Sequence, residues 1–293
     1  MLIWAGCSAY NDVMRLRFGG LLIPCFGWPE ALGRATELEQ AGFDAVVVDD
    51  HLVNPADPQG PWSECWSLLA ALAAKTTRIA LGPLVSNTIL RPPAVLARQA
   101  LTVDEISGGR LELAIGAGYA PTDYRGAGRS VPAVNERREQ FAAALGIVTE
   151  HLDNAAANGR RHIPITVAAH DRSSLDLAAR FADRWVSYGA WGKTLDELVD
   201  LTRRRGEWLD ERCAELGRAA PPSRSVLIGS AAVCRDPLWT SVDAFEDAIG
   251  RFANVGIDTF YVYWPPTVVS RAVDQTVVDT VLAEVIPRLR AAA

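Results

Sequence analysis

The residues of this chain that could do chemistry gather where short apolar runs end. Asp49-Asp50-His51 directly follows the run Phe43–Val48. An imidazole titrating near about 6.5 beside carboxylates can exchange or steer a proton near neutral pH. A loop histidine bonded to backbone is the plainer alternative. Gly116-Ala117-Gly118-Tyr119 follows Leu111–Ile115. Glycines let a ligand approach the backbone closely, and a tight turn is the alternative. Pro121 stands where a dinucleotide fingerprint needs its third glycine. His170, Arg172, Ser173 and Ser174 sit at the start of a helix. The free N–H groups and partial positive charge there suit a phosphate, and a simple N-cap is the competing reading. Other run ends carry Cys25 and Phe26, Ser86-Asn87-Thr88, Gly189 and Trp191, Arg235 and Trp264.

Several chemistries lack their residues. The four histidines (His51, His151, His162, His170) form no HxH or HExxH pattern, which speaks against a metal site. Neither a GxSxG elbow nor a Walker A loop is present. The net charge of −6, with no basic stripe, disfavours a nucleic-acid binder. No apolar run reaches the roughly 18 residues of a membrane span. The five cysteines are scattered without a CxxC pair, so reduced thiols in a cytoplasm are expected. MLIWAGCSAY is too short and lacks the basic residue of a secretion signal. Lysine occurs only at Lys75 and Lys193 against many arginines, a bias associated with GC-rich, actinobacterial genomes.

Eight apolar runs must position these residues, each followed by a helical stretch. The predicted strands are Phe18–Pro24, Phe43–Val48, Arg78–Val85, Leu111–Ile115, Ile163–Ala168, Trp185–Tyr188, Ser225–Val233 and Ile257–Tyr263. The valine-rich second run reads as a parallel strand buried on both faces. Eight such units predict a (β/α)8 TIM barrel, with a doubly wound sheet as the alternative. Residues 1–15 read as a loose extension and 16–293 as one barrel domain. The segment between Tyr119 and Asn135 is long enough to hold an intruding antiparallel strand. A barrel works at the C-terminal ends of its strands, so all the run-end residues above share one rim.

The stretch TTRIALGPLVSNTILRPPAVLARQALTVDEISGGRLELAIGAGY, Thr76 to Tyr119, resembles the luciferase-like family of flavin- or deazaflavin-dependent oxidoreductases. The matching residues are Arg78, Ile79, Leu81, Gly82, Arg91, Pro93, Asp104, Ser107, Gly109, Arg110, Gly116 and Gly118, with Val103 where the family has leucine. IPITVAAHDRSSLDLAARFADRWVSYG extends the likeness, which covers most of the chain from about Leu16. The resemblance implies a luciferase-like barrel holding coenzyme F420 or, alternatively, FMN. It implies catalytic roles for His51 and Asp50, with Asp50 also contacting the ring. A non-proline cis peptide is implied at Leu84-Val85, under the ring. Asn87, Gly118 and Tyr119 would approach the ring, and Ala168, Ala169, His170, Ser173 and Ser174 the phosphate. Arg110 and Asp104 read as structural. Phe26, Trp62, Trp191 and Trp264 would line an aromatic substrate pocket. Tyr119 stands where sugar-phosphate-oxidising members carry a glutamate, and the loop Ala168–Asp171 lacks the usual glycines.

The implied reaction is hydride transfer between F420 and a small organic substrate. The alternatives are an FMN-dependent monooxygenase served by a flavin reductase, and a non-catalytic cofactor binder. Partners under this reading are the substrate, a flavin or F420 reductase, and a second copy in a homodimer. His51→Ala should lower turnover by roughly 10²–10⁴-fold, the range of a positioned acid or base. His170→Ala should weaken cofactor binding more than the chemical step. Steady-state kinetics beside a binding titration separate the two.

Overall fold

The computed structural model describes residues 15–55 and 57–292. Of the extension expected over residues 1–15, residues 1–14 lie outside the described residues. The chain alternates strand and helix: β1 (Arg17–Leu22), α1 (Trp28–Gln40), β2 (Ala45–Val48), α2 (Cys65–Lys75), β3 (Ala80–Pro83), β4 (Ser86–Asn87), α3 (Pro93–Ser107) and β5 (Leu113–Gly116). Then come α4 (Pro121–Gly126), α5 (Val134–Ala157), β6 (Ile165–Ala168), α6 (Arg172–Phe181), β7 (Arg184–Ser187), α7 (Leu195–Glu215), β8 (Ser223–Ile228), α8 (Val242–Ala253) and β9 (Thr259–Trp264). A last helix runs from α9 (Gln275–Thr280) through a π-helical turn to α10 (Ile286–Ala292).

All pairings between these strands are parallel, in the order β3-β2-β1-β9-β8-β7-β6-β5-β4. β3 and β4 are two halves of one expected strand, parted by the cis peptide Leu84-Val85. β3 pairs with β2 and β4 with β5. Leu81 also exchanges backbone bonds with Arg110 and Glu112, which closes the ring. The result is the expected eight-position TIM barrel. No antiparallel strand enters between Tyr119 and Asn135. Pro121 at the first helical position starts α4 there instead, because its fixed φ suits a helix start and it has no N–H to leave unpaired.

Strand parity sorts the side chains. In β9, Phe260, Val262 and Trp264 pack outward against the helices, and Tyr261 and Tyr263 point into the barrel. In β2, Val46 and Val48 face out while Ala45 and Val47 face in. The bottom of the barrel is plugged by charge: Glu112 accepts from Arg17 at 2.6 Å and from Arg184 at 3.1 Å. Arg110 is the expected structural lock. It donates to the carbonyls of Ala73, Thr76, Ile79 and Ser107, stitching the ends of α2 and α3 to β3. Asp104 accepts from Arg161 at 3.1 Å. Among the described residues no helix is long and apolar enough to cross a membrane.

Gly82 permits the closure. A Cβ there would lie 1.8 Å from the Glu112 carbonyl oxygen, a backbone atom that cannot swing away. Gly82→Ala should therefore destabilise by about 1–3 kcal/mol or more, as overpacking does. Gly33→Ala, inside α1 with nothing within 4 Å of the added carbon, should instead stabilise by about 0.5–1 kcal/mol. Urea denaturation of both variants checks the contrast.

Candidate active site

A cavity of about 320 Å³ opens at the C-terminal ends of the strands. Its apolar floor is Leu21, Leu84, Val85, Val186 and Leu227. His51, Asp50, Asn87, Gly118 and Tyr119 line one side, and Ala168, His170 and Ser174 another. The structure thus brings most of the sequence-predicted rim residues to one place.

His51 is held by a residue the sequence reading passed over. Its Nδ1 lies 2.7 Å from Oδ2 of Asp123 on α4. Asp123 is fully buried and also accepts from the Asn87 amide at 3.0 Å and the Leu52 N–H at 3.0 Å. The other ring nitrogen, Nε2, lies 3.7 Å from Oδ1 of Asp49. Trp62 donates its indole N–H to the His51 carbonyl at 2.7 Å, and Tyr119 meets the imidazole edge-on at 5.7 Å. Burial pulls the His51 pKa down. The Asp123 hydrogen bond and the charges of Asp49, Asp123 and Asp50 together outweigh that and raise it.

Asp50 faces the other way. Its carboxylate accepts from Arg91 twice, at 2.5 and 3.0 Å, from Ser86 Oγ at 3.1 Å and from the Asn87 N–H at 2.9 Å. With these donors in place it anchors the rim while still lining the cavity. The Asn87 side chain is likewise committed, to Asp123 and to the N–H of Ile89.

Parity corrects two further expectations. Trp264 shares the outward face of Phe260 and Val262, so it is buried beside Phe43 and bonds Glu37 of α1 at 3.1 Å. Tyr263 takes the inward place, its hydroxyl 3.0 Å from that of Tyr188. Ala169 faces outward with Ile165 and Val167, and Ala168 lines the cavity. Phe26 and Trp62 do not line the cavity either. Trp191 is 65% exposed and packs edge-on against Tyr188. The pocket aromatics are Tyr119, Tyr188 and Tyr263, with Phe141 of α5.

The expected phosphate cradle is also altered. The α6 N-terminus is closed by a capping box in which Asp171 accepts from the Ser174 N–H and Ser174 Oγ accepts from the Asp171 N–H. Ser173 does not line the cavity. Cationic lining comes from Arg137 and Arg138 of α5, the latter bonded to Asp171 at 3.1 Å. His170 is exposed at the mouth. Partial desolvation, with the Arg205 charge, brings its pKa down to about 4. The apolar floor and the α5 arginines fit a planar ring carrying an anionic tail, without the serine cradle.

Residues 14–238 match the model of the luciferase-like monooxygenase family. The chain belongs to that family. It is 27% identical to a 5,10-methylenetetrahydromethanopterin reductase from Archaeoglobus fulgidus, over 87% of this chain and 73% of that one. It is 25% identical to an F420-dependent glucose-6-phosphate dehydrogenase from Amycolatopsis mediterranei, over 66% of this chain and 64% of the relative, so the match leaves about a third of that enzyme uncovered. In fold it resembles a monooxygenase from Streptomyces bottropensis, with TM-score 0.74 at 18% identity, covering 94% of this chain and 100% of that one.

Asp123→Asn should lower the His51 pKa, because the amide removes a charge and a charge-assisted acceptor. A histidine raised in the folded state adds stability that is complete below the unfolded value of about 6.5 and fades as pH rises through the folded pKa. NMR titration of the four histidines in wild type and variant tests both statements. An unmoved His51 titration would contradict the clamp.

Proposed function

We propose that this protein is a deazaflavin-dependent oxidoreductase that moves a hydride between coenzyme F420 and a small organic substrate. The observation carrying this reading is the imidazole of His51, gripped by buried Asp123 at the edge of an apolar, ring-sized cavity. The named F420-dependent relative and the family match support it.

Leu84, Val85 and the other floor residues would hold the ring, and Arg137 and Arg138 would meet the anionic tail. When bound, the reduced deazaflavin supplies a hydride, two electrons in one step. The chain's residues do the rest. The floor excludes water from the reacting face. Asp123 fixes Nδ1 of His51 and leaves Nε2 for proton exchange at the cavity. Tyr119 is pushed up to about 12 by burial and the charge of Asp49, so its phenol stays protonated and can donate a hydrogen bond. An F420-reducing enzyme would regenerate the carrier. The unpaired thiols of Cys25, Cys65, Cys213 and Cys234 suit a reducing cytoplasm.

Fluorescence titration of purified protein with F420 and with FMN tests the assignment. F420 should bind at micromolar concentration or tighter, and FMN at least tenfold more weakly. Tighter FMN binding would turn the assignment to an oxygen-using flavin enzyme. Binding of neither would leave no redox function.

A further inference from the structure

Among the described residues three carboxylates line the cavity: Asp49, Asp50 and Asp171. Asp50 is committed to Arg91, and Asp171 to Arg138 and the cap of α6, whereas no arginine bonds Asp49. Asp49 lines the cavity with a quarter of its side-chain surface open. Oδ1 accepts the Asp50 N–H at 3.1 Å and faces Nε2 of His51 at 3.7 Å. Among the described residues nothing bonds Oδ2, leaving it available to a ligand.

We propose that Asp49 is a catalytic residue of this site, exchanging a proton with the oxygen of an uncharged ketone or secondary-alcohol substrate. This rests on the hydride-transfer reading above. The family's acid glutamate is replaced here by the phenol of Tyr119, which is 63% exposed. Asp49 brings a carboxylate to the same cavity from a different strand end. The substrate class follows from charge. The floor is aliphatic, and beside it stand the phenols of Tyr188 and Tyr263. A substrate carboxylate or phosphate at that floor would face Asp49, and the arginines lining the cavity both come from α5.

The charged and titratable groups around Asp49 come from every side. Asp50 and His51 share its strand end, Asp123 comes from α4, Tyr119 follows β5, Tyr188 follows β7 and Tyr263 ends β9. Cys65 of α2 lies behind, with its thiol pushed well up by burial. Burial first, with His51 opposing and Asp50 and Asp123 adding, raises the Asp49 pKa. A raised carboxyl keeps its proton closer to neutral pH, where it serves as an acid.

In the reducing direction the Asp49 O–H bond breaks and its proton passes to the substrate oxygen. The carbonyl carbon gains the hydride that a reduced deazaflavin supplies, and the C=O π bond becomes an O–H and a C–H bond. The carbonyl is reduced to an alcohol, the deazaflavin is oxidised, and Asp49 is left as carboxylate. Water at the open mouth returns the proton. Alcohol oxidation is the reverse.

The test uses Asp49→Asn and Asp49→Ala in the full chain. F420 affinity should stay within threefold of wild type. The kcat for cyclohexanone reduction should fall roughly 10²–10³-fold with KM within threefold. The wild-type rate should decline as pH rises through the Asp49 pKa, and Asp49→Asn should lack that limb. Added formate should restore turnover to Asp49→Ala but not to Asp49→Asn. In cofactor-free protein, NMR should show the His51 pKa lower in Asp49→Asn. A kcat within threefold of wild type, or an unmoved His51 titration, overturns the proposal. Wild-type protein that binds F420 but leaves ketones and secondary alcohols unchanged overturns the substrate class. Wild-type protein that binds neither cofactor overturns the underlying function, and this proposal with it.

Discussion

The buried Asp50–Arg91 pair holds the rim of the cavity in shape. Arg91 leads into α3, and Asp50 ends the β2 segment, so their two-point contact ties β2, β4 and α3 together across the break at Leu84-Val85. Removing one partner of such a pair costs about 3–5 kcal/mol, because the other charge is left buried and unpaired. The pair also sets direction. Side chains alternate along an extended chain, so turning Asp50 toward Arg91 sends both Asp49 and His51 toward the cavity. The residue the family likeness marks as a ring contact is thereby also the anchor of its two neighbours.

Charge is handled differently at the two ends of the barrel. At the bottom, Glu112 sits between Arg17 and Arg184 and its charge is met on both sides. At the top, Asp49 and His51 face each other beyond hydrogen-bond length. A closed network suits a plug, and a loosely paired carboxylate and imidazole suit proton exchange. The two rim histidines make the same point. His51, among carboxylates, holds its proton more tightly than a free imidazole, whereas His170, partly desolvated and facing Arg205, loses it far below neutrality. Environment, not residue type, assigns their protonation.

The α6 end of the cavity shows how a local rule can be overridden. A helix start after β6 invites a phosphate, but Asp171 occupies that start itself and satisfies the amide a phosphate would use. Its charge draws Arg138 to it. Under the proposed function, anion recognition would shift from the backbone of α6 to the side chains of α5, which are less selective in geometry than a fixed row of N–H groups.

The order of strands and helices, the closed parallel barrel and the rim position of His51 were legible in the sequence. Buried parallel strands read as apolar runs, and every run end in a barrel falls on one rim. The stretch from Arg78 to Gly118 carried the family likeness for the same local reason, since its residues lock neighbouring turns. Facing was harder to read. Trp264 looked like a pocket residue and Tyr263 did not, because run boundaries hide parity, and the register of β9 on β1 and β8 settles it. The cis peptide at Leu84-Val85 came from the family likeness, but the apolar pattern ran on as one strand and hid the break into β3 and β4. Asp123 was beyond local reading altogether. It lies 72 residues from His51 along the chain, on a short helix whose placement depends on packing across the rim. Hydrophobic period reports where a strand lies, but a hydrogen bond between a strand-end loop and a distant helix exists only once the ring has closed and brought them together.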